Sequence, residues 1–465
     1  MTIQNTPKER IEAIIASQKE YFKTGDTLPV RFRKEQLRHL LKAIDKYQPK
    51  LAQALWTDLH KSFQEAYLTE IGLVRAEIKH HLRHVSRWAR RKHKCSPLTL
   101  FPASSYIVSE PLGQALIVSP WNYPVQLLLN PLVGAISAGC TAVLKPSPYV
   151  PNVSAVLEEM IRFTFPQKYI AVVQGNRDVN QVLFDSRFDM IFFTGSPALG
   201  RKVMAAAAKN LTPVVLELGG KSPCIIDRNA NLKIAARRVA WGKTLNAGQT
   251  CIAPDYILIH EDVKEAFIKE FAAQVEYLHG KEIKESQHFV RLVTDKAFER
   301  VTGYLNDGTI VYGGHTDSSE RFIEPTLLDN VSPDAPVMTD EIFGPIFPLI
   351  TISPKNGSFK DQVTEFITSR EKPLAFYYFG REKDGWDLIR RTSSGGGCIN
   401  DTIMHIANGN IPCGGVGNSG MGHYHGKLSF DAFTHQRSIV KAPTWIDLPV
   451  RYMPYKLFAL IKKLM

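Results

Sequence analysis

The chain has 465 residues, of which 44% are hydrophobic and 22% charged, and its formal net charge is +12. This balance is ordinary for a soluble globular protein, and a chain of this length can bury a large core without the help of disulfide bonds or structural metal ions. No cationic segment followed by an apolar one opens the sequence, and no apolar run reaches about 18 residues, so we expect neither a secretory signal nor a transmembrane helix.

The cysteines give no sign of a metal site or a disulfide framework. They stand at positions 95, 140, 224, 251, 398 and 413, without a CxxC pair or a histidine at zinc-finger spacing. His405, His423 and His425 offer two close ligands and no third partner, so we expect no metal. Scattered cysteines in a chain of this size are typical of reduced thiols, which predicts a cytoplasmic protein.

Positive charge is densest in the basic patch at residues 87–94. Such a patch can attract nucleic acid or an anionic membrane surface. No nucleic-acid motif with interleaved aromatic residues accompanies it, so we interpret it as the solvated end of a helix and expect no nucleic-acid partner.

In chain order, the first hundred residues have a helical pattern, with apolar positions three to four apart. From Gln114 onward, apolar runs alternate with helical segments, and this alternation predicts a parallel sheet in a doubly wound domain. A second α/β series starts near Gly219. The predicted helices are 8–24, 31–59, 66–92, 126–138, 232–246 and 263–279, and the predicted strands are 104–110, 115–118, 142–144, 170–173, 190–193, 224–227, 256–260, 309–312 and 374–379.

Three consecutive glycines at 395–397 predict a sharp turn, and the sequence from there to Lys441 looks glycine-rich and irregular. The tail at 451–465 alternates basic and apolar clusters. Such a segment can lie on an anionic membrane surface as an interfacial helix, or dock on its own or a partner subunit. The sequence leaves both alternatives open.

The chemistry centres on one thiol and one carboxylate. Cys251 ends a run of small and polar residues that begins at Asn246 and precedes an apolar strand, while Glu217 ends another apolar strand beside two glycines. A thiol nucleophile and a carboxylate base together can form and then hydrolyse a thioester.

These two runs, LELGGK at 216–221 and GQTC at 248–251, resemble the paired signature of the aldehyde dehydrogenase superfamily. The glycine-rich run at 414–430 resembles its class 3 branch, the fatty and aromatic aldehyde dehydrogenases. The resemblance implies a Rossmann-like doubly wound cofactor domain, a second α/β catalytic domain with the nucleophilic cysteine, and a small β oligomerisation arm. We assign the cofactor domain to residues 1–82 with 106–218 and the catalytic domain to residues 219–398. The oligomerisation arm is assigned to residues 83–105 with 399–445, and the tail follows at 446–465. It also implies a homodimer.

The resemblance implies that medium- to long-chain aliphatic or aromatic aldehydes are oxidised to carboxylic acids, and it allows polyene aldehydes equally. Cys251 would attack the aldehyde carbonyl, giving a thiohemiacetal and then a thioester. Asn122 and the backbone N–H of Cys251 would stabilise the oxyanion. Glu217 would activate the hydrolytic water.

For the cofactor, NAD or NADP, the resemblance implies that Lys145 binds the adenosine ribose and Glu341 the nicotinamide ribose. The turn at 195–200 follows a strand and opens a helix, whose N-terminal N–H groups can hold a pyrophosphate, although its glycines depart from the usual GxGxxG spacing. The full predicted set is Trp121, Lys145, Gly195, Ser196, Gly200, Leu218, Gly219, Glu341 and Phe343.

The chain departs from the family pattern at two positions. Pro148 stands where many NAD-preferring members carry a ribose-binding glutamate, so we expect NADP to be accepted or even preferred. Cys413 stands where the branch commonly has phenylalanine, which would reshape the mouth of the pocket and place a second thiol near the site.

Two other functions compete with aldehyde oxidation to the acid. A CoA-acylating dehydrogenase would pass the thioester to coenzyme A, but thiolysis does not need the base at Glu217. A non-catalytic nucleotide-binding relative would have no reason to combine Cys251, Glu217, Asn122, Lys145 and Glu341.

Overall fold

The computed structural model describes residues 3–447, 449, 452–455 and 458–464. It has two large, mostly parallel sheets, a three-stranded antiparallel sheet and a small two-stranded hairpin, all linked by helices. The predicted α/β fold is therefore confirmed. None of the described helices combines the length and the apolar character that crossing a membrane requires.

The α-helices are α1 (Lys8–Lys23), α2 (Val30–Leu59), α3 (Phe63–Ala66), α4 (Gly72–Trp88), α5 (Gln126–Ala138), α6 (Pro151–Thr164), α7 (Arg177–Asp185), α8 (Pro197–Ala208), α9 (Leu232–Thr244), α10 (Lys264–His279), α11 (Asp295–Gly303), α12 (Pro336–Thr339), α13 (Phe359–Thr368), α14 (Glu382–Arg391), α15 (Lys427–Ala432) and α16 (Phe458–Leu464). The strands are β1 (Lys92–Lys94), β2 (Ser104–Pro111), β3 (Gln114–Val118), β4 (Thr141–Lys145), β5 (Ile170–Val172), β6 (Met190–Thr194), β7 (Val214–Glu217), β8 (Pro223–Ile226), β9 (Tyr256–His260), β10 (Thr309–Tyr312), β11 (Thr316–Asp317), β12 (Phe322–Ile323), β13 (Thr326–Asp329), β14 (Ile346–Ile352), β15 (Ala375–Phe379), β16 (Gly396–Ile399), β17 (Gly420–Met421) and β18 (Thr434–Lys441).

The first sheet has the order β17-β7-β6-β3-β4-β5, with every pair parallel except β17 with β7. Strands β3, β4 and β6 are buried along their whole length, because α1 and α5 pack on this sheet and neighbouring strands close its sides. That burial explains their continuous apolar sequences. From β3 the chain proceeds to β4 and β5 on one side, and then returns to β6 and β7 on the other. Such a switch point opens a crevice at the carboxyl ends of the strands.

The second sheet has the order β10-β13-β14-β9-β8-β15-β16, and only β10 runs antiparallel to its neighbour. The segment that carries Cys251 connects α9 to β9. A short 3-10 turn at Leu245–Gly248 follows α9, and Asn246 and Ala247 both adopt left-handed backbone conformations with φ of 52°. This strained turn takes the chain out of the helix before Cys251.

Three predictions about secondary structure were wrong. Gly396 and Gly397 open strand β16 instead of forming a turn, because a glycine at 397 lets the backbone approach the Phe376 carbonyl on β15. The supposedly irregular region that ends at Lys441 contains β17, α15 and β18, and β18 pairs with the full length of β2. Finally, the helix predicted at 66–92 begins as a π-helical turn at Tyr67–Ile71 and ends at Trp88, so the basic patch continues into β1.

In the third sheet, β1 and β18 both pair with β2, which lies between them. Strands β1 and β18 belong to the two parts of the predicted oligomerisation arm, and β2 leads into β3 of the first sheet. The domain boundaries themselves stay a prediction. Of the tail at 446–465, residues 448, 450, 451, 456, 457 and 465 lie outside the described residues, and residues 458–464 form α16. Membrane contact by the tail also stays a prediction.

Candidate active site

A cleft of about 1110 Å³ runs along the carboxyl ends of the strands of the first sheet and reaches Cys251. It brings together most of the site residues predicted from sequence. Those that line the cleft are Trp121, Asn122, Gly195, Ser196, Glu217, Leu218, Gly219, Cys251, Glu341 and Phe343. Lys145 and Gly200 do not line it: Lys145 ends β4 at the same edge of the sheet, and Gly200 lies in α8 against the side chain of Leu218.

Side-chain amides hold the loop that leads to Cys251. The Asn246 Nδ2 atom donates to the backbone carbonyl of Asn122 at 2.9 Å and to that of Gln249 at 3.0 Å. The Gln249 side chain donates to the carbonyls of Asn246 and Arg291 and accepts from the N–H of Val293 at 3.1 Å. These bonds anchor the loop at both sides, so the position of the thiol is set before any ligand binds.

Asn122 lies directly against this loop. Its side chain is only 2% exposed, and its Nδ2 atom donates to the Gln249 carbonyl at 3.0 Å. A primary amide has two N–H donors, so one remains for a ligand atom near Cys251. Next to it, the Tyr123 hydroxyl shares a 2.6 Å hydrogen bond with Thr250 Oγ1. Asn122 and the cysteine loop therefore form one hydrogen-bonded unit.

Glu217 ends β7 and is 5% exposed, and its Oε1 atom has no hydrogen-bond partner among the described residues. Burial raises the pKa of this carboxyl well above its ordinary value. A carboxyl in such surroundings is suited to take a proton from water or a thiol near neutral pH.

The thiol of Cys251 is protonated in these surroundings. Burial, with a further contribution from the carboxylates of Glu341 and Glu217, raises its pKa to about 12. Attack on a carbonyl therefore needs a base or a positive charge beside the sulfur. Burial, with smaller contributions from Glu217 and Cys251, raises the pKa of the Cys413 thiol well above its ordinary value.

The other side of the cleft offers the donor set that a dinucleotide requires. Trp121 and Phe343 meet edge to face, with ring centroids 5.3 Å apart. A Cβ atom at position 219 would overlap the Glu341 carboxylate. Because Gly219 has no Cβ, that carboxylate can lie against the backbone of residue 219. Ser196 caps the N-terminus of α8, and this end of the helix lines the cleft, where a helix N-terminus favours an anion.

Lys145 completes this set from the neighbouring strand. Its side chain is 2% exposed, and its ammonium donates to the Pro146 carbonyl at 2.9 Å. Burial lowers its pKa to about 8. The ammonium forms no ion pair with the described residues, so it keeps donors for ribose hydroxyl or phosphate oxygens. These residues fit a bound NAD or NADP.

Sequence reasoning missed a group of charged residues behind the site. Lys61 and Glu70 form a fully buried ion pair, with 2.7 Å between Nζ and Oε1. The Glu65 carboxylate accepts from the backbone N–H of Asn246 at 2.9 Å, and burial raises the pKa of Glu65 to about 7. Helical periodicity carries no signal for them, because charged residues at the ends of helices are usually solvated.

No group of three or more potential metal ligands occurs within the part of the chain that the structure describes. His405 lies beside the thiol of Cys398 at 3.6 Å, whereas the buried His425 packs against Tyr424.

Comparisons with known proteins agree with this geometry. Residues 1–439 match the model of the aldehyde dehydrogenase family. The chain is 46% identical over 449 residues to the 4,4'-diaponeurosporen-aldehyde dehydrogenase of Staphylococcus aureus, covering 96% of this chain and 97% of that protein. It is 42% identical over 447 residues to aldehyde dehydrogenase family 3 member B2 of Mus musculus, covering 96% and 92%. The solved structure of the substrate-bound state of Staphylococcus aureus AldH superposes with a TM-score of 0.95 at 47% identity, covering 97% and 99% of the two chains.

Proposed function

This chain belongs to the aldehyde dehydrogenase family, whose members oxidise aldehydes with NAD or NADP, and we propose that it converts long apolar aldehydes to carboxylic acids through a thioester on Cys251. The observation that carries the proposal is the convergence of Cys251, Asn122 and Glu217 on one cleft. A thiol nucleophile, an amide donor and a buried carboxyl base are the groups that this reaction requires.

The reaction begins when the Cys251 thiol passes its proton through a water molecule to Glu217, which returns it to solvent, and the sulfur attacks the aldehyde carbon. The free N–H of Asn122 and the backbone N–H of Cys251 stabilise the alkoxide that forms. When bound, the oxidised nicotinamide would supply a positive charge beside the cleft and accept the hydride that leaves the carbon attached to Cys251, so that this carbon becomes the carbonyl of a thioester. Glu217 then takes a proton from a water molecule, which attacks the thioester and releases the acid and the thiolate of Cys251.

The cofactor would be held by Trp121, Lys145, Ser196, Glu341 and Phe343. The buried ammonium of Lys145 is suited to the adenosine ribose, and the carboxylate of Glu341 to the nicotinamide ribose. Gly195, Gly200, Leu218 and Gly219 would shape the backbone around the cofactor. Pro148 leaves no carboxylate to repel a 2′-phosphate at its position, so we propose that the enzyme uses NADP as well as NAD.

The substrate class rests on the surroundings of the thiol and on the relatives. Burial raises the pKa values of the tyrosines at 123, 377 and 424 well above the ordinary value, with a smaller contribution from Cys251 in each case. The apolar side chains of Trp121 and Leu127 line the cleft itself, and an apolar lining favours an apolar aldehyde. The name of the Staphylococcus aureus relative gives 4,4'-diaponeurosporen-aldehyde as its substrate, so a polyene aldehyde joins the aliphatic and aromatic ones as a candidate.

A panel of aldehydes tests the proposal: aliphatic aldehydes of increasing chain length, aromatic aldehydes and a polyene aldehyde, each with NAD and with NADP. We expect kcat/KM to increase with apolar surface, and Cys251→Ala to abolish turnover while cofactor binding remains. A wild-type preference for short polar aldehydes would contradict the substrate class. Formation of an acyl-CoA, with turnover dependent on coenzyme A, would favour the acylating alternative.

We also propose that the protein is a cytoplasmic homodimer whose tail contacts membranes. Sedimentation equilibrium of the full chain measures the oligomeric state. Co-sedimentation with anionic vesicles, with and without residues 446–465, measures the membrane contact.

A further inference from the structure

The buried ion pair of Lys61 and Glu70 lies behind the active site and touches neither the cleft nor Cys251. Both side chains are 0% exposed. Lys61 follows α2 directly after its left-handed C-cap at His60, and Glu70 lies on the π-helical turn at Tyr67–Ile71. π-turns inside helices are found frequently at functional sites.

The pair contacts both ends of the segment that carries Asn122. The Lys61 ammonium donates to the Asn122 carbonyl at 3.1 Å and lies over the Tyr123 ring, 4.3 Å from its centroid. The Glu70 Oε2 atom accepts from the N–H of Val125 at 2.8 Å, just before α5 begins. One ion pair thus fixes the carbonyl on one side and the N–H on the other side of a four-residue stretch.

This stretch is also the contact between the two sheets at the nucleophile. The Asn122 carbonyl accepts a second hydrogen bond from Asn246 Nδ2, and the Tyr123 hydroxyl bonds Thr250. These contacts link Lys61 and Glu70 to the backbone that carries the Asn122 amide beside the cysteine loop.

Fold stability does not explain why charged residues occupy these positions. Burying two charges costs desolvation free energy, and replacing a buried pair by apolar side chains is often neutral or stabilising. What apolar side chains lack is the donor for the Asn122 carbonyl and the acceptor for the Val125 N–H. The pair therefore fixes the positions of two backbone groups that apolar side chains would leave without these partners.

We propose that Lys61 and Glu70 are positioning residues for the oxyanion donor Asn122. This inference rests on the proposed role of Asn122. Displacement of a positioned group by about 1 Å can cost about 100-fold in rate, so loss of the pair should lower kcat by about 10- to 100-fold. The KM values for aldehyde and cofactor should change little, because the pair contacts neither.

The experiment is a mutant cycle that combines Lys61→Met/Glu70→Gln with Asn122→Ala in the full-length enzyme. Removing both charges together leaves no unpaired buried charge, so we expect the protein to fold and to bind NADP. If the pair acts through Asn122, its removal lowers kcat in the wild-type background but by less than about 3-fold when Asn122 is already alanine. The matched control is Lys264→Met/Asp329→Asn, a partly buried pair 2.8 Å apart that links the start of α10 to the end of β13 and should leave kcat unchanged.

Equal losses in both backgrounds would overturn the inference, as would a double variant with wild-type kcat. If Asn122→Ala alone has no effect on kcat, the proposed role of Asn122 fails, and the inference fails with it. If Asn122→Ala lowers kcat but the losses add, only the inference fails. Should the double variant not fold, Glu70→Asp keeps both charges and shortens the reach to Val125, and the same cycle decides by the same criterion.

Discussion

Asn122→Ala tests the proposed oxyanion donor separately from the residues that hold it. The variant loses both N–H donors of the side-chain amide, one of which bonds the Gln249 carbonyl. That carbonyl still accepts from Asn246 Nδ2 at 3.0 Å, so the cysteine loop stays anchored. We expect a stability loss of only about 1–2 kcal/mol. Loss of one oxyanion donor typically costs about 3–4 kcal/mol of transition-state stabilisation, a 10²- to 10³-fold decrease in kcat.

Steady-state kinetics with a saturating aldehyde measure this decrease, and cofactor titration checks that the cleft remains intact. Asn130→Ala is the matched control, because Asn130 is also a buried asparagine, 3% exposed, but lies on α5 outside the lining of the cleft. The reasoning is refuted if both variants lower kcat equally, or if Asn122→Ala retains more than about a third of wild-type kcat while folding normally.

Four further predictions concern the proposed base and the cofactor. Glu217→Gln should slow thioester hydrolysis more than hydride transfer, so stopped-flow absorbance should still show a burst of reduced cofactor; loss of the burst would contradict the assignment. Because burial raises the Glu217 pKa and a base acts deprotonated, wild-type hydrolysis should accelerate as pH rises through that pKa, and the variant should lack this dependence. Burial lowers the Lys145 pKa to about 8, so NADP affinity should fall above pH 8 as the ammonium loses its proton, and calorimetric titration should show a flatter profile in Lys145→Met. Pro148→Glu should raise kcat/KM for NAD relative to NADP, and an unchanged ratio would show that this position does not select the cofactor.

The sequence predicted the parts of the fold that local pattern determines. Strands β3, β4 and β6 are continuous apolar runs because both faces are covered, and their carboxyl ends carry Asn122, Lys145 and Gly195. Once the strands were recognised as parallel, the convergence of these residues on one edge followed from topology. Glu217 and Cys251 were found by the same combination of strand ends and glycine-rich runs.

What the sequence could not predict depends on partners distant in the chain. The glycines at 396 and 397 suggest a turn until β15 is seen beside them, where the missing side chain admits the Phe376 carbonyl. Residues 434–441 look irregular because β18 is mostly exposed and gains its conformation from pairing with β2.

Lys61 and Glu70 could not be predicted from the sequence either, because their partners are also distant in the chain. A lysine just after a helix end usually lies in solvent, and no periodicity distinguishes one whose ammonium is buried against a carbonyl 61 residues away. The residues that touch a ligand stand out because their chemistry needs particular atoms at strand ends. The residues that hold them are selected by backbone groups that become available only when the chain has folded, so they must be sought among buried charges that stability alone does not require.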